Sequence, residues 1–468
     1  MTKRTFLLTA TLLFFVVGMI TTKELLTSKQ KYNLILISVD TLRADHMGVY
    51  GYKRNTSPKI DAWAKDATVF NRAYTIFPLT FQSFYTLFTG RNEAIVNPKL
   101  GYSYSVSEAT EALSPTLPQI LKQNGFITTA FVTNPVIDGL ATNTFRAGFD
   151  NFKFYDQSHL SESINPGNAK DYFYNIFIHD NENSKQVTAN SIEWINKNTD
   201  KKFFIWLHYS TPHLPYNPPQ NYACELDKKF CDETEYQNAL TVIPHRCTDT
   251  EKGSLKEDQV EDLKVLYDAE IISIDEEIGK VLKAIKDNNL DKESVVVFYA
   301  DHGEGFDHNI FDHGFSLYES NIHIPFIIKV PGSQEKSIDT LIDNSDILPT
   351  LLDILGIKYA KNDYSGKSFI QSGKYINEDK EVFFMTPKDW TNKFGVIYGE
   401  NKYIYSAGDK CLNNRTNEES YNLILDKNEE RNNSKTQIYS ELKNRLSEFF
   451  KTQEPPQKEI DQLKSLGY

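Results

Sequence analysis

Asn33-Leu34-Ile35-Leu36-Ile37-Ser38-Val39 is a nearly unbroken run of branched apolar residues that stops at a carboxylate, Asp40. A strand with one wet face alternates apolar and polar side chains. This run does not, so it reads as a strand covered on both faces. Similar runs recur at Ile127 to Val132, Phe203 to His208, Val295 to Tyr299 and Ile324 to Val330. Between them lie stretches with helical spacing, Ser57 to Ala67, Thr116 to Gln123, Asn190 to Asn196 and Asp258 to Asn289. Strands alternating with helices, each strand needing cover on both sides, predict an α/β fold: a large, mostly parallel central sheet with helices on both faces. Ligands of such sheets sit beyond the carboxyl ends of the strands. Polar residues follow these strands directly: Asp40, then His208 and His213, then Asp301 and His302.

Further along, Asp346 to Asp353 gives an amphipathic helix closed by Gly356. From Gly366 the pattern shifts to short aromatic-rich segments, Val382 to Met385, Phe394 to Tyr398 and Tyr403 to Tyr405, which predict a small antiparallel sheet. A final helix is expected over Thr436 to Thr452. The organisation that follows is an N-terminal segment over residues 1–24, a main domain over 33–365, a C-terminal subdomain over 366–452 and a tail over 453–468.

Composition sets bounds on function. The 468 residues are 40% hydrophobic and 24% charged, as an ordinary globular chain is, and the net charge of -12 with no basic run excludes a nucleic-acid footprint. At the N-terminus, Lys3 and Arg4 precede an apolar stretch, and 18 uncharged residues separate Arg4 from Lys23. That is an export signal, either a cleaved signal peptide or an uncleaved membrane anchor over residues 6–22, with the balance toward the anchor. The positive flank stays in the cytoplasm, which places the rest outside it, periplasmic or secreted and open to membrane association through this segment. Four cysteines fit such a compartment. Cys224, Cys231 and Cys247 cluster in one stretch, where at least one disulfide is expected and a zinc site with His245 is the alternative.

The chemistry-bearing residues lie at the strand ends. In Asp301-His302-Gly303-Glu304, an Asp and a His side by side on a turn both reach one divalent cation, and Asp40 adds a third ligand. His308 and His313 follow within a dozen residues, and His213 stands in Thr211-Pro212-His213-Leu214-Pro215. Imidazoles there bind a transferred oxyanion, protonate a leaving alkoxide or hold a second metal. Within Pro78-Leu79-Thr80-Phe81-Gln82-Ser83, the plain reading of Thr80 and Ser83 is helix capping. The functional reading is a nucleophile: a helix start stabilises an anion, and metal coordination lowers the pKa of a hydroxyl.

Taken in order, these segments resemble the sulfatase branch of the alkaline phosphatase superfamily. The resemblance rests on Val39-Asp40-Thr41-Leu42-Arg43-Ala44-Asp45, on Thr89-Gly90-Arg91, on Pro212-His213-Leu214-Pro215-Tyr216, on Asp301-His302-Gly303 through His313-Gly314, and on Asp346-Ile347 to Pro349-Thr350. It implies an alkaline phosphatase-like fold, a divalent ion (Mn, Zn, Mg or Ca) held by Asp40, Thr80, Asp301 and His302, and catalytic roles for Thr80, His213, His308 and His313. Formylglycine sulfatases carry a Cys/Ser-x-Pro-x-Arg signature; here the run is Thr80-Phe81-Gln82-Ser83-Phe84, lacking the convertible residue, the Pro and the Arg. Thr41 stands where many calcium sulfatases have a second Asp. A Thr at the nucleophile position resembles phosphoethanolamine and phosphoglycerol transferases, so the expected activity is hydrolysis or transfer of a phosphate ester through a Thr80 alkoxide and a covalent intermediate. Sulfate-ester hydrolysis at the same site is the alternative, and a binding protein on the same fold is a third. The substrate is a small-molecule, lipid or glycan ester.

Overall fold

In the computed structural model the described residues are 32–92, 115–137, 146–155, 180–242, 255–308, 310–371, 373–376, 380–386, 391–409, 415–433 and 436–453. The export segment, Cys247, His245, Cys411 and residues 454–468 of the tail lie outside them. No helix among the described residues is long and apolar enough to cross a membrane.

The opening run forms β1 (Asn33–Val39), all seven residues buried. Truncating Leu34, Ile35, Leu36 or Ile37 to alanine would empty a wholly buried site, a change that costs about 2–5 kcal/mol. The sheet around it contains β2 (Thr68–Phe70), β3 (Ile127–Val132), β4 (Asn151–Phe154), β5 (Phe203–Tyr209), β6 (Ser294–Ala300), β7 (Phe326–Lys329) and β8 (Ser337–Ile338). Its eight strands run in the order β4-β3-β5-β1-β6-β7-β2-β8. The five from β4 to β6 are parallel, and β7 is antiparallel to both its neighbours. Every residue of β1, β5 and β6 is buried, as continuous apolar runs require. The polar edge strand β4 was not expected: it is partly exposed along its length and has no apolar run to betray it.

Among the described helices that accompany the sheet are α1 (Pro58–Ala64), α2 (Thr80–Thr89), α3 (Leu117–Gln123), α4 (Asp180–Asn196), α5 (Glu257–Asp287) and α6 (Ile347–Leu355). The helix expected from Asn190 starts at Asp180, because its early inward face is Asn183, Ser184 and Thr188, buried polar residues that apolar periodicity does not register. The C-terminal sheet is a four-stranded antiparallel meander of β9 (Glu381–Met385), β10 (Lys393–Tyr398), β11 (Asn401–Asp409) and β12 (Arg415–Asn422), backed by α7 (Gln437–Gln453). Its fourth strand reads Arg-Thr-Asn-Glu-Glu-Ser-Tyr-Asn, too polar to announce itself, and it forms by ladder pairing with β11. Cys224 and Cys231 are joined by a disulfide across a separation of 7 residues, which removes both from the alternative zinc set.

Register explains the site. Ser38 lies opposite His208, Val39 opposite Ala300, and Val132 opposite His208. Asp40, Asn134, His208 and Asp301 therefore emerge at one edge of the sheet, the carboxyl ends of four neighbouring parallel strands.

Candidate functional site

Asp40 leaves β1 wholly buried, and the chain then turns sharply. Thr41 has φ 53°, a left-handed conformation that costs a β-branched residue roughly 1–3 kcal/mol. Three bonds hold it there. The Thr41 N–H donates to Asp301 Oδ1 at 3.2 Å, the Tyr267 hydroxyl from α5 donates to Thr41 O at 2.7 Å, and the Arg43 N–H donates to the Tyr267 oxygen at 2.9 Å. The strained turn thereby ties the end of β1 to the end of β6.

Thr80 is the first residue of α2, and the capping reading of it fails. The N-cap is Leu79, in extended conformation, and no side chain caps the helix. Leu79 offers no side-chain acceptor to the N–H groups at the start of α2, the groups that favour an anion at a helix start. Thr80 Oγ1 instead faces His302 Nε2 at 3.3 Å. Ser83, one turn on, fixes the helix in place: its hydroxyl donates to Asp301 O at 2.7 Å and meets the Tyr299 hydroxyl at 2.6 Å. All ten residues of α2 are buried, so this helix is a core element with its start in the site.

His302 Nε2 lies 3.6 Å from Asp40 Oδ1 and 3.6 Å from Asp301 Oδ2. The structure thus gathers Asp40, Thr80, Asp301 and His302 around one space. Gly303 permits the tight turn that follows, since a Cβ there would stand 2.0 Å from Ser320 O. Burial pushes the Asp301 carboxyl up to about 7 and drives the His302 imidazole well below its ordinary value. Asp301 Oδ2 is buried with no well-formed hydrogen bond. Two desolvated carboxylates call for opposite charge, and three oxygen donors with one imidazole suit a divalent cation of hard or borderline character. The residues present therefore fit the metal.

Three imidazoles form a file beside this space. The His302 and His313 rings lie 4.4 Å apart between centroids, and the His313 and His213 rings 5.0 Å. His313 Nδ1 sits 3.1 Å from Asp312 Oδ1 and 3.4 Å from Glu304 Oε1, ion-pair partners for the ring when it carries both protons. Glu304 is wholly buried, and that burial raises its carboxyl pKa. His308 is placed otherwise. It is exposed, its Nε2 meets Asn428 O at 3.2 Å, and its ring stacks on Tyr318 at 3.8 Å, so it faces the C-terminal sheet rather than the other imidazoles.

Two more residues stand at the same edge: Asn134, which no sequence pattern singles out, and His208, which the sequence places at a strand end without a ligand or catalytic role. Asn134, just past β3, donates from Nδ2 to Asp40 Oδ2. His208, inside β5, is wholly buried, and one ring nitrogen lies within 4.8 Å of carboxylate oxygens of Asp40 and Asp301. Burial lowers its pKa to about 3. The signal that finds both is position alone: each stands at the carboxyl end of a strand next to β1 or one strand removed.

A hydroxyl, buried carboxylates and a file of imidazoles on the carboxyl edge of a mostly parallel sheet are groups that an ester hydrolase acting on tetrahedral oxyanions can use. Within that class the chain belongs to the sulfatase family: residues 32–357 match the family model described as Sulfatase, and residues 306–454 that described as N-sulphoglucosamine sulphohydrolase, C-terminal. It is similar to an arylsulfatase of Clostridium perfringens, 24% identical over 458 residues that cover 85% of this chain and 92% of the relative. An endo-4-O-sulfatase of Bacteroides thetaiotaomicron is 24% identical over 434 residues, covering 83% and 80%. Among solved structures, a protein in complex with its substrate D-glucosamine-2-N,6-O-disulfate superposes with a TM-score of 0.67 at 16% identity, over 90% of this chain and 97% of that one. A 2-O GAG sulfatase gives 0.66 at 20% identity, over 92% and 94%. The preference for phosphate esters drawn from the sequence finds no support in these relatives; they favour a hydrolase of sulfuric esters.

Proposed function

We propose that this chain hydrolyses sulfuric esters of a carbohydrate or aryl hydroxyl, with Thr80 as the nucleophile. The observation that carries this is Thr80 Oγ1 at the open start of α2, 3.3 Å from His302 Nε2 and beside Asp40 and Asp301, in a chain of the sulfatase family. The cation that Asp40, Thr80, Asp301 and His302 would hold supplies Lewis-acid polarisation and offsets the anionic charge of the ester. Thr80 Oγ1 attacks sulfur, the bond from sulfur to the substrate oxygen breaks, and the sulfuryl group becomes a threonine sulfate ester. The leaving oxygen takes a proton from His313, held by Asp312 and Glu304, while the Thr80 proton passes to the adjacent Asp301 carboxylate, which returns it to Thr80 Oγ1 in the second step. Water then attacks sulfur with His313 as the base, releasing sulfate and restoring the hydroxyl. The uncapped N–H groups of α2 would receive the nonbridging oxygens.

A second reading is favoured by Thr80 itself. A formylglycine hydrate expels sulfate by elimination, whereas a threonine ester of either sulfate or phosphate needs a second displacement, and a phosphoryl group brings more charge for the cation and imidazoles to stabilise. The test is kcat/KM on matched aryl sulfate, phosphate and phosphodiester, with Mn, Zn, Mg and Ca each supplied. Sulfate ahead by tenfold or more, about 1.4 kcal/mol in the transition state, is the expected result; a phosphoester ahead by that margin overturns it.

The acid role of His313 has its own signature. His313→Asn is expected to lower kcat by roughly 10²- to 10³-fold on esters of sugar alcohols and by less than about tenfold on nitrophenyl esters, whose leaving group needs no proton. Equal losses on both would assign His313 to binding instead. For location, the export segment and the Cys224–Cys231 disulfide support residence outside the cytoplasm.

A further inference from the structure

We propose that His208 is a further ligand of the divalent cation, binding through Nε2, so that the ion is held by Asp40, Thr80, Asp301, His302 and His208. The inference rests on the cation reading above and concerns a residue the family motif does not assign.

The case starts with one proton. Ser38 Oγ has three neighbours: Trp206 Nε1 at 2.9 Å, Leu207 O at 3.1 Å and His208 Nδ1 at 2.9 Å. The indole can only donate and the carbonyl can only accept. The serine proton therefore goes to Leu207 O, and His208 Nδ1 must carry a proton for the third bond to form. Nε2 is then a bare lone pair. The opposite tautomer leaves Leu207 O without its serine donor and puts an N–H on Nε2, which has no acceptor. The arrangement that makes all three bonds is the one that prepares Nε2 for a metal, as orienting partners behind ligating histidines do.

The second observation is where that lone pair lies. His208 is wholly buried, Nε2 has no hydrogen-bond partner, and a nitrogen of this ring stands within 4.8 Å of carboxylate oxygens of both Asp40 and Asp301. The ring is fixed in orientation: Phe84 packs on it edge to face at 4.9 Å, and Trp206 flanks it at 5.9 Å. Phe84 occupies the place of the Arg in the formylglycine signature, and Thr41 the place of a second Asp. Thr41 brings no carboxylate at its position, while His208 on the neighbouring strand brings an imidazole. Two carboxylates, a hydroxyl and two imidazoles favour zinc or manganese over calcium or magnesium.

The test is X-ray absorption at the zinc edge on the metal-stripped full chain reloaded with one equivalent of Zn(II), since outer-shell scattering counts imidazoles. Two imidazoles are expected in the wild type and one in His208→Gln, with zinc affinity at least about tenfold weaker in the variant. A single imidazole in the wild type overturns the inference and leaves the cation reading intact, and it does so even if His208→Gln fails to fold. Failure of the wild type to take up zinc, manganese, magnesium or calcium stoichiometrically overturns the cation reading and this inference together.

Discussion

Replacing Thr80 with alanine is expected to lower kcat/KM by at least about 10⁴-fold, roughly 5.5 kcal/mol of transition-state stabilisation, with the larger part in kcat. The size follows from the geometry. Thr80 Oγ1 is the hydroxyl that faces His302 Nε2, whereas the nearby Ser83 hydroxyl is committed to Tyr299 and Asp301 O. Removing the nucleophile leaves binding and polarisation but no group to accept the sulfuryl or phosphoryl moiety. The fold should survive, because Thr80 does not cap α2 and the lost atoms are few. Thr80→Ser is expected to keep activity within roughly 10²-fold, its loss reflecting the freer rotamer of serine against the stiff β-branched side chain. Steady-state kinetics beside circular dichroism decides the matter. An alanine variant that is folded and within tenfold of wild type would remove Thr80 from the chemistry.

Much of the fold was legible because the central strands are covered on both faces. Asn33 to Val39 carries no alternation, and that single fact calls for a parallel sheet between helix layers. Asp40, Asp301 and His302 were legible for the same reason: an apolar strand that ends on a charged residue marks a sheet edge. Thr80 needed the comparison with a family motif, since its local pattern suits a cap equally well and only the tertiary turn shows that Leu79 occupies the cap position. Asn134 escaped notice and His208, though visible at a strand end, was given no role, because each is one polar residue at the end of an apolar strand and strand pairing alone brings them to Asp40. His308 misled for the opposite reason. Its spacing from His302 matches that of a site residue, but its left-handed backbone, with φ 57°, goes with a side chain stacked on Tyr318. Sequence spacing is blind to such a reversal. The ester's central atom was the hardest to read, since a threonine serves sulfuryl and phosphoryl transfer alike.

The Asp301→Asn variant is expected to change stability and function in opposite directions. Asparagine is isosteric with aspartate. Its Oδ1 keeps the bonds that Asp301 Oδ1 accepts from the Thr41 N–H at 3.2 Å and the His302 N–H at 2.9 Å, so the two strand ends stay tied. What it removes is a buried charge. Burial pushes the Asp301 carboxyl up to about 7 from 3.8, so in the metal-free fold the protonated form is favoured. A raised carboxyl pKa contributes stability that is complete below about pH 4 and lost as pH rises through about 7. The metal-free wild type should therefore weaken across that window relative to Asp301→Asn, and at pH 8 the variant should be more stable by on the order of 2 kcal/mol. Below pH 4 both side chains are neutral and the difference should shrink toward zero. Function goes the other way, because the same substitution removes one of the two anionic ligands. Metal affinity should fall by at least about 10²-fold and activity at limiting metal should fall with it. Thermal melts of chelator-treated protein at pH 4.5 and 8, beside metal content of both proteins after dialysis, measure the two effects separately. An Asn variant less stable than metal-free wild type at pH 8 would show that the Asp301 charge is compensated within the fold. Undiminished metal content would show that the ion lies elsewhere. A rise in stability together with a loss of metal is the combination expected of a carboxylate kept buried for a cation, at the expense of the empty fold.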